Sequence, residues 1–349
     1  MESHLGGSFP DVERLEGSSI LAELGAWQFG EASGLSRWRS SGGRAVLKAR
    51  QTDEELHAVF SKVFALAGED LGQNWLEYGL EAGLLGAHHR EPRLLGEARL
   101  KEHTPGLIGV LSEESEGRHW ILMEDLEDLE LLDSADRPGD WEEHHLIAAV
   151  DGLARIHAAH IGCVGTLESE PWIGAPPTPA RQRRLAPLWR ALADHAAADF
   201  RDWAGIDVRA MVDEYLEATP VDTPRTLIHG DFNPRNMGFR RTENGPMLVA
   251  YDWELATLDL PQRDLVELLA FVGPDDPGRW IEAHRMALER AAGIQLDPEC
   301  WVAGAEHARR SLLLTRLTAY HVIHRVRRQS YLPRTVQNLV RQLESLRVT

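Results

Sequence analysis

Cysteine and long apolar runs are scarce in this chain of 349 residues. The two cysteines, Cys163 and Cys300, are too few for a disulfide framework. No stretch approaches the roughly twenty consecutive apolar residues of a membrane span, and the first residues lack an apolar core of signal-peptide length. We therefore expect a cytoplasmic protein with reduced thiols and no membrane partner.

Positive charge is also in deficit, because 37 Lys and Arg residues face 55 Asp and Glu residues, for a net charge of -18. A chain this acidic is a poor nucleic-acid binder, since the phosphate backbone repels it. The charge suits a cationic partner and equally suits simple solubility. With 43% hydrophobic residues, a chain of this length can bury a large core in about two domains.

The most informative stretch begins with His229-Gly230-Asp231, which is followed five residues later by Asn236. Residues 237–239 and 247–251 predict two short strands joined by a turn with a strong Asn-Gly signal. The second strand leads directly into Asp252. Such a hairpin would return Asp252 to the side of Asn236.

This spacing is typical of phosphoryl transfer. A carboxylate must align an acceptor hydroxyl and take its proton, while an amide oxygen and a second carboxylate hold Mg²⁺. We therefore predict Asp231 as the catalytic base and Asn236 and Asp252 as metal ligands. The alternative is that these are ordinary turn polars, because Asp and Asn are common in turns.

The sequence His229-Gly230-Asp231-Phe232-Asn233-Pro234-Arg235-Asn236, with Asp252-Trp253-Glu254 after it, resembles the aminoglycoside phosphotransferase and choline kinase family, which is related to protein kinases. The resemblance implies an α+β, two-lobed protein-kinase-like fold. Its small N-terminal lobe would be an antiparallel sheet, and its larger C-terminal lobe would be mostly helical. We expect these lobes at residues 1–123 and 124–349, with a helical insertion at 172–223 that shapes the acceptor pocket.

The resemblance also implies a phosphate-covering turn and a strand lysine in the N-terminal lobe. Ser33, in the small-residue turn 31–34, is the expected phosphate-covering residue. Lys48 is one of only three lysines and ends an apolar segment, residues 44–48. It resembles the kinase lysine that contacts the α- and β-phosphates. The alternative is a surface lysine on an edge strand.

A carboxylate should steady that lysine from the following helix. Glu77 and Glu81 lie one turn apart on a predicted helix over residues 74–85, so at most one of them needs to face Lys48. We favour Glu77 and leave Glu81 open.

The adenine ring is expected at the connector between the lobes. Residues 118–123 predict a strand that runs into Glu124-Asp125-Leu126. By the same resemblance Met123 lines the adenine pocket, and the carbonyl of Glu124 and the amide of Leu126 bind the adenine edge.

Two other features have structural explanations beside the chemical ones. His157, His160 and Cys163 recur at three-residue intervals and could suggest zinc, but they continue the buried stripe of a predicted helix, so we favour packing. Asp264 precedes a predicted helix over residues 265–271, where an N-cap role is at least as good an explanation as a catalytic one.

Together these features predict an ATP-dependent, Mg²⁺-dependent phosphotransferase that acts on a hydroxyl of a small molecule, an aminoglycoside or another amine-bearing acceptor. The alternatives are a kinase for a sugar or hydroxylated metabolite, and a catalytically silent nucleotide-binding module. The sequence leaves the acceptor, the choice of ATP or GTP and the oligomeric state open.

Overall fold

The computed structural model describes residues 13–14, 35–40, 43–50, 53–66, 74–113, 118–170, 172–173, 178–199, 208–217, 222–326 and 328–346. Ser33 and its turn lie outside the described residues, as does the side chain of Lys48. Within the part of the chain that is described, every helix is too short or too polar to span a lipid bilayer.

The N-terminal part contains a five-stranded antiparallel sheet in the order β1-β2-β3-β5-β4. Its strands are β1 (Glu13–Arg14), β2 (Leu35–Ser40), β3 (Gly43–Arg50), β4 (Leu107–Glu113) and β5 (Arg118–Glu124). Lys48 lies on β3, where it is opposite Leu35 on one side and Ile121 on the other. Because β3 has partners on both sides, the edge-strand alternative for Lys48 is wrong.

The described residues between β3 and β4 form three helices, α1 (Asp53–Leu66), α2 (Trp75–Glu81) and α3 (Ala87–Leu95). The sequence predicts one helix over residues 74–85, and the structure instead ends α2 early and begins α3 after a break. Gly83 and Gly86 both have positive φ, near +73° and +70°, a conformation that interrupts a right-handed helix and favours glycine.

The C-terminal part is mostly helical and carries two short antiparallel strand pairs. Its first helices are α4 (Glu143–Ala158), α5 (Val164–Leu167), α6 (Pro179–Asp199) and α7 (Val208–Glu217). Strand β6 (Thr226–Ile228) pairs with β9 (Thr257–Asp259), and β7 (Met237–Thr242) forms a hairpin with β8 (Gly245–Ala250). Both strands of the predicted hairpin are present, each somewhat longer than the pattern indicates.

The remaining helices are α8 (Gln262–Val272), α9 (Pro277–Ala292), α10 (Pro298–Leu312), α11 (Thr318–Val326) and α12 (Leu332–Leu346). A π-helical turn, Leu313–Leu317, joins α10 to α11. π-helical turns are rare and are frequent at functional sites. The sequence predicts one continuous helix across residues 306–328, because the apolar period alone does not show this widening.

A continuous apolar core runs through both parts of the molecule, and α8 is its centre, since ten of its eleven residues are buried. The predicted boundary after Met123 does not separate two parts that pack independently. Helix α2 packs against α6, and α3 packs against the turn Trp253–Leu255. The segment after α3 is also bound to the hairpin, because the amide of Ala250 donates to the carbonyl of His103 at 2.9 Å. The boundary at residues 123 and 124 stays a prediction.

Candidate active site

The loop after β6 carries His229, Gly230 and Asp231, and Asp264 of α8 fixes its backbone. The Asp264 carboxylate accepts the amide of His229 at 2.7 Å and the amide of Gly230 at 2.9 Å. It is fully buried and also lies 3.2 Å from Nε2 of His157 on α4. Asp264 therefore lies within the first turn of α8 and accepts hydrogen bonds from the loop after β6. It is not the N-cap of its own helix, so the N-cap explanation for Asp264 is wrong.

Burial works to raise the pKa of Asp264, but the hydrogen bond from His157 and the neighbouring loop groups outweigh it and lower that pKa. A buried carboxylate that accepts several donors stays ionised. The loop backbone is thus held by a charged group that has no contact with solvent.

Glycine is required at position 230. Its φ is near +79°, and a Cβ built there would lie 2.2 Å from the carbonyl oxygen of Leu255. Next to it, Nε2 of His229 is 2.9 Å from the carbonyl oxygen of Tyr251. The loop is therefore clamped between the end of β8 and the turn that follows.

Asp231 receives hydrogen bonds from five side chains. Asn236 Nδ2 donates to Oδ2 at 2.6 Å, and Asn233 Nδ2 donates to Oδ1 at 3.1 Å. The hydroxyl of Tyr320 donates to Oδ1 at 2.8 Å. Two guanidinium groups complete the set, with Arg316 Nη1 at 3.0 Å from Oδ1 and Arg235 Nη2 at 3.4 Å from Oδ2.

The electrostatics of Asp231 follow from these partners. Burial alone would raise its pKa, but the charges of Arg235 and Arg316 prevail and hold the pKa of Asp231 below its usual range. The Asp231 carboxylate is therefore ionised at neutral pH. Arg235 is itself surrounded by aromatic rings, with its Cζ 5.1 Å from the ring centroid of Tyr331 and 5.5 Å from that of Tyr320.

A second buried carboxyl group lies behind Asp231. Glu267 Oε1 accepts from Asn233 Nδ2 at 3.0 Å, and the same amide nitrogen reaches Asp231. Burial and the nearby charge of Asp231 raise the pKa of Glu267 to about 8. Glu267 is therefore a neutral acid at pH 7, while Asp231 carries the negative charge.

The hairpin places Asn236 and Asp252 side by side. Met237 pairs with Ala250, and the amide of Tyr251 donates to the carbonyl of Asn236 at 2.9 Å. Asp252 follows at once, in the left-handed conformation with φ near +66°. A non-glycine residue in this conformation is uncommon and concentrates at functional sites.

These residues suit Mg²⁺. The Nδ2 of Asn236 donates to the main-chain and side-chain oxygens of Asp231, so its amide oxygen is the atom that can face a metal. Mg²⁺ is commonly bound by one or two protein oxygen ligands together with substrate phosphates and water. Within the described ranges no group of three or more His, Cys, Asp or Glu side chains is arranged as a self-sufficient metal site. Asn236 and Asp252 fit a metal that arrives with a nucleotide.

Helix α3 supplies two buried charged residues to the turn after Asp252. Arg90 is fully buried and donates to the carbonyls of Gly83, Leu85 and Glu254, as well as Trp172. Glu91, also fully buried, accepts the amide of Trp253 at 3.3 Å. Neither residue could be recognised from the sequence, because Pro92 and the few apolar positions Ala87, Leu94 and Leu95 do not form an ordinary helical pattern.

The carboxylate of Glu77 has arginine partners on α6. It lies 2.7 Å from Arg184 Nη2 and 3.5 Å from Arg181 Nε. Its neighbour Glu81 lies 3.6 Å from Arg181 Nη1, and burial raises the pKa of Glu81 to about 7. Both carboxylates thus contact the helical part of the protein. Because the Lys48 side chain lies outside the described residues, the pairing of Glu77 with Lys48 stays a prediction.

The predicted adenine contacts lie at the end of β5. Met123 is buried and pairs with Val46 of β3, and the Glu124 side chain accepts the amide of Gly106 at 2.9 Å. The backbone amide of Leu126 donates to no group in the described part of the chain. These positions are compatible with the predicted roles of Met123, Glu124 and Leu126, which stay predictions.

Two of the three side chains considered as zinc ligands, those of His157 and Cys163, contact other groups. The two ring nitrogens of His157 lie 3.2 Å from Asp264 and 3.2 Å from Nε2 of His284. Cys163 is 3.4 Å from Nη1 of Arg99. His157 therefore belongs to the support of the catalytic loop.

The sequence also failed to indicate Arg316 and Tyr320. They lie four residues apart around the π-helical turn, more than eighty residues after Asp231, and no local pattern distinguishes them from other helical residues. The sequence indicated Asp264 as a candidate residue, but it did not indicate which groups Asp264 contacts.

The two-lobed architecture and the loop that joins Asp231 to Asn236 and Asp252 define a protein-kinase-like phosphotransferase. The chain matches the phosphotransferase enzyme family over residues 81–300 and belongs to it. No curated protein sequence matches the chain.

Two solved structures show the same fold. A choline kinase from Cryptosporidium parvum Iowa II is 11% identical, with 98% of this chain and 91% of that chain covered and a TM-score of 0.53. The GDP complex of wild-type aminoglycoside 2'-phosphotransferase-IIIa is 16% identical, with 98% of this chain and 95% of that chain covered and a TM-score of 0.51. At these identities the likeness establishes the fold.

Proposed function

We propose that the protein transfers the γ-phosphoryl group of ATP to a hydroxyl group of a small molecule, with Asp231 as the catalytic base. The observation that carries the proposal is the arrangement of Asp231. Its carboxylate is ionised, lies 2.6 Å from Asn236 Nδ2, and stands on a loop whose amides are bound by Asp264.

In this proposal Asn236 and Asp252 hold Mg²⁺, which neutralises the developing charge on the phosphates when it is bound. Asp231 accepts a hydrogen bond from the acceptor hydroxyl, orients it and takes its proton late in the transfer. Lys48, on an interior strand, contacts the phosphates, and Ser33 covers them. Met123, Glu124 and Leu126 bind the adenine. The nucleotide would lie between the lobes at residues 1–123 and 124–349.

For the carboxylate that steadies Lys48 we propose Glu91 in place of Glu77. Glu91 is fully buried, and its Oε1 is bonded to the amide directly after Asp252. Charged or hydrogen-bonding partners stabilise a buried carboxylate. Glu91 lies next to the proposed metal ligand Asp252, and a lysine that binds the phosphates would come close to it there. Glu77 has arginine partners on a different element.

The acceptor is the open part of the proposal. Family resemblance and the charge of -18 favour an amine-bearing acceptor such as an aminoglycoside. The local charge at Asp231 favours the alternative, a hydroxylated metabolite without an amine, because two guanidinium groups stand within 3.4 Å of its carboxylate.

The test is ADP formation by the purified protein with Mg²⁺ and ATP across aminoglycosides, choline-like amines, sugars and hydroxylated metabolites, with Asp231→Asn as the blank. We expect acceptor-dependent ADP from the wild type and a loss of about 10²–10⁴-fold in the variant, which is the usual contribution of a general base. The variant should bind the nucleotide nearly as well as the wild type. Unchanged turnover in Asp231→Asn would defeat the assignment of Asp231.

A catalytically silent module would bind the nucleotide and give no acceptor-dependent ADP. The proximity of Asp231, Asn236 and Asp252 supports turnover, since phosphoryl transfer uses a base and two metal ligands of these residue types.

A further inference from the structure

The number of donors on Asp231 exceeds what its carboxylate can accept while also receiving a substrate. Five side chains donate to it, three to Oδ1 and two to Oδ2. An ionised carboxylate offers about four lone-pair sites. An acceptor hydroxyl can therefore reach Asp231 only if one of these donors moves away.

The donors differ in how easily they can move. Asn233 and Asn236 belong to the same short loop as Asp231, and each also bonds to the Asp231 carbonyl. Arg316 and Tyr320 come from separate elements, the π-helical turn and α11. Arg235 is the most exposed of the charged partners, with 26% of its side chain accessible. The groups that can make room for an acceptor thus include both arginines.

The charges at this point do not cancel. Arg235 and Arg316 are permanently cationic. Asp231 supplies one negative charge, and Glu267 is neutral at pH 7 because burial raises its pKa to about 8. Asp264 is engaged by His157 and the loop amides, and Asp252 is assigned to the metal in the proposed function. A third arginine, Arg263, is buried and donates to the hydroxyls of Ser311 and Thr315, which precede Arg316 in the chain. The charge of Arg263 also acts on Glu81 and Glu267.

If Tyr320 or an asparagine leaves Asp231, both guanidinium groups stay beside the acceptor hydroxyl, and if one arginine leaves, the other stays. An acceptor with an ammonium group there would meet like charge in a poorly solvated site. If Arg316 itself moves off Asp231, its buried guanidinium needs another anion, because an unpaired buried charge is strongly unfavourable. Guanidinium groups bind carboxylates and phosphates in paired, directional hydrogen bonds.

We propose, on the basis of the proposed function, that the acceptor is a hydroxylated anion, a carboxylate or a phosphate, whose anionic group binds Arg316 and takes that arginine from Asp231. Binding of the acceptor would then be coupled to release of the base. Arg316 and Tyr320 donate to Asp231 Oδ1 at 3.0 and 2.8 Å, so in this proposal the acceptor hydroxyl takes the place of Arg316.

The experiment uses the full-length protein with Mg²⁺ and ATP and matched acceptors that differ in charge. One set is D-glucuronate, glucose 6-phosphate, D-glucose and D-glucosamine, and another is glycerate, glycerol 3-phosphate, glycerol and 2-amino-1,3-propanediol. ADP formation is measured for the wild type, Arg316→Gln and Arg316→Lys, and nucleotide binding is measured separately by calorimetry. Arg290→Gln, at an exposed arginine of α9, is the matched control.

We expect at least tenfold higher kcat/KM for acidic or phosphorylated members than for their amine counterparts. Arg316→Gln should lower kcat/KM for the anionic members at least 100-fold, mainly through KM, and should affect the neutral members less than tenfold. Arg316→Lys should recover part of the loss, and Arg290→Gln should behave as the wild type. Comparison of the carboxylate acceptors with the phosphorylated acceptors shows which anionic group the protein recognises.

Higher activity with amine-bearing or neutral members, or no stimulation by any anionic member, would overturn the anionic acceptor. An equal loss for every charge class in Arg316→Gln would also overturn it, because Arg316 would then act on the transferred phosphoryl group. Acceptor-dependent ADP from amines or neutral compounds would leave the phosphotransferase assignment intact. A wild-type protein that binds neither ATP nor GTP with Mg²⁺ would reject the proposed phosphotransferase activity itself.

Discussion

The carboxylate of Asp264 accepts the backbone amide of His229 at 2.7 Å, across 35 residues of sequence. This contact joins the central helix α8 to the loop that presents Asp231. Because Asp264 also accepts the amide of Gly230 and lies against His157, three separated segments share one buried charge. The orientation of the catalytic loop therefore depends on a residue that is far from it in sequence.

Replacing Asp264 by Asn should test this dependence. The asparagine amide would place a donor against one of the two loop N–H groups, so we expect the free energy of unfolding to fall by about 2–4 kcal/mol. Turnover should also fall, because the loop loses its anchor. Urea unfolding followed by tryptophan fluorescence measures the first effect. As a control, Asp276→Asn alters an exposed helix cap on α9 and should change stability by less than about 1 kcal/mol. Equal shifts for the two variants would contradict the anchoring role.

Replacing Asp252 by Asn should remove the Mg²⁺-dependent part of ATP binding. Asn tolerates the left-handed backbone of this position, so the variant should keep the fold and lose only the charge. Calorimetric titration of ATP with Mg²⁺ and with EDTA separates the two contributions. Asp252→Ala should lose the same part of ATP binding as Asp252→Asn. It should also melt at a lower temperature than Asp252→Asn, because alanine disfavours this backbone conformation. An Asp252→Asn protein that binds ATP with Mg²⁺ as tightly as the wild type would count against the ligand role.

Glu91 and Glu77 can be distinguished by matched substitutions. Glu91→Gln should weaken nucleotide binding about tenfold or more, because a charge-assisted interaction at the phosphate site is lost. Glu77→Gln should change it less than about twofold, since its partners are the α6 arginines Arg181 and Arg184. Fluorescence titration with a nucleotide analogue is sufficient to compare them. A larger effect from Glu77 would reinstate that residue as the partner of Lys48.

Glu267 should make stability depend on pH. Its pKa is about 8 in the folded protein against an ordinary value of 4.5, so between these values the folded protein holds a proton that the unfolded chain has released. The contribution of Glu267 to the free energy of unfolding should therefore fall as pH rises from 5 to 8, by at most about 1.4 kcal/mol per unit. Glu267→Gln stays neutral and keeps the shape. The difference in unfolding free energy between wild type and variant should follow this slope, and a difference that is constant with pH would show that Glu267 does not titrate here.

Much of the site could be predicted because its chemistry is concentrated in one local pattern. Asp231, Asn236 and Asp252 are connected by a hairpin whose strands and turn are visible in the sequence, so their proximity follows from local structure. The break between α2 and α3 was not visible, because Gly83 and Gly86 cause it through positive φ, and Gly83 also through a close approach to the carbonyl oxygen of Leu255. The helix over residues 306–328 was predicted as continuous for a similar reason, since a π-helical turn keeps nearly the same apolar period.

The hairpin between Asn236 and Asp252 and the residue types for phosphoryl transfer could be predicted from the amino-acid sequence alone, because they depend on short spacing, and the antiparallel N-terminal sheet was implied by the family resemblance. Which distant charges meet at Asp231 depends on the tertiary structure. Arg316, Tyr320, Asp264 and Glu267 reach the loop from helices that follow it by 30 to 90 residues, and their approach depends on how buried helices pack. Packing is a property of the whole core, and no local pattern specifies it.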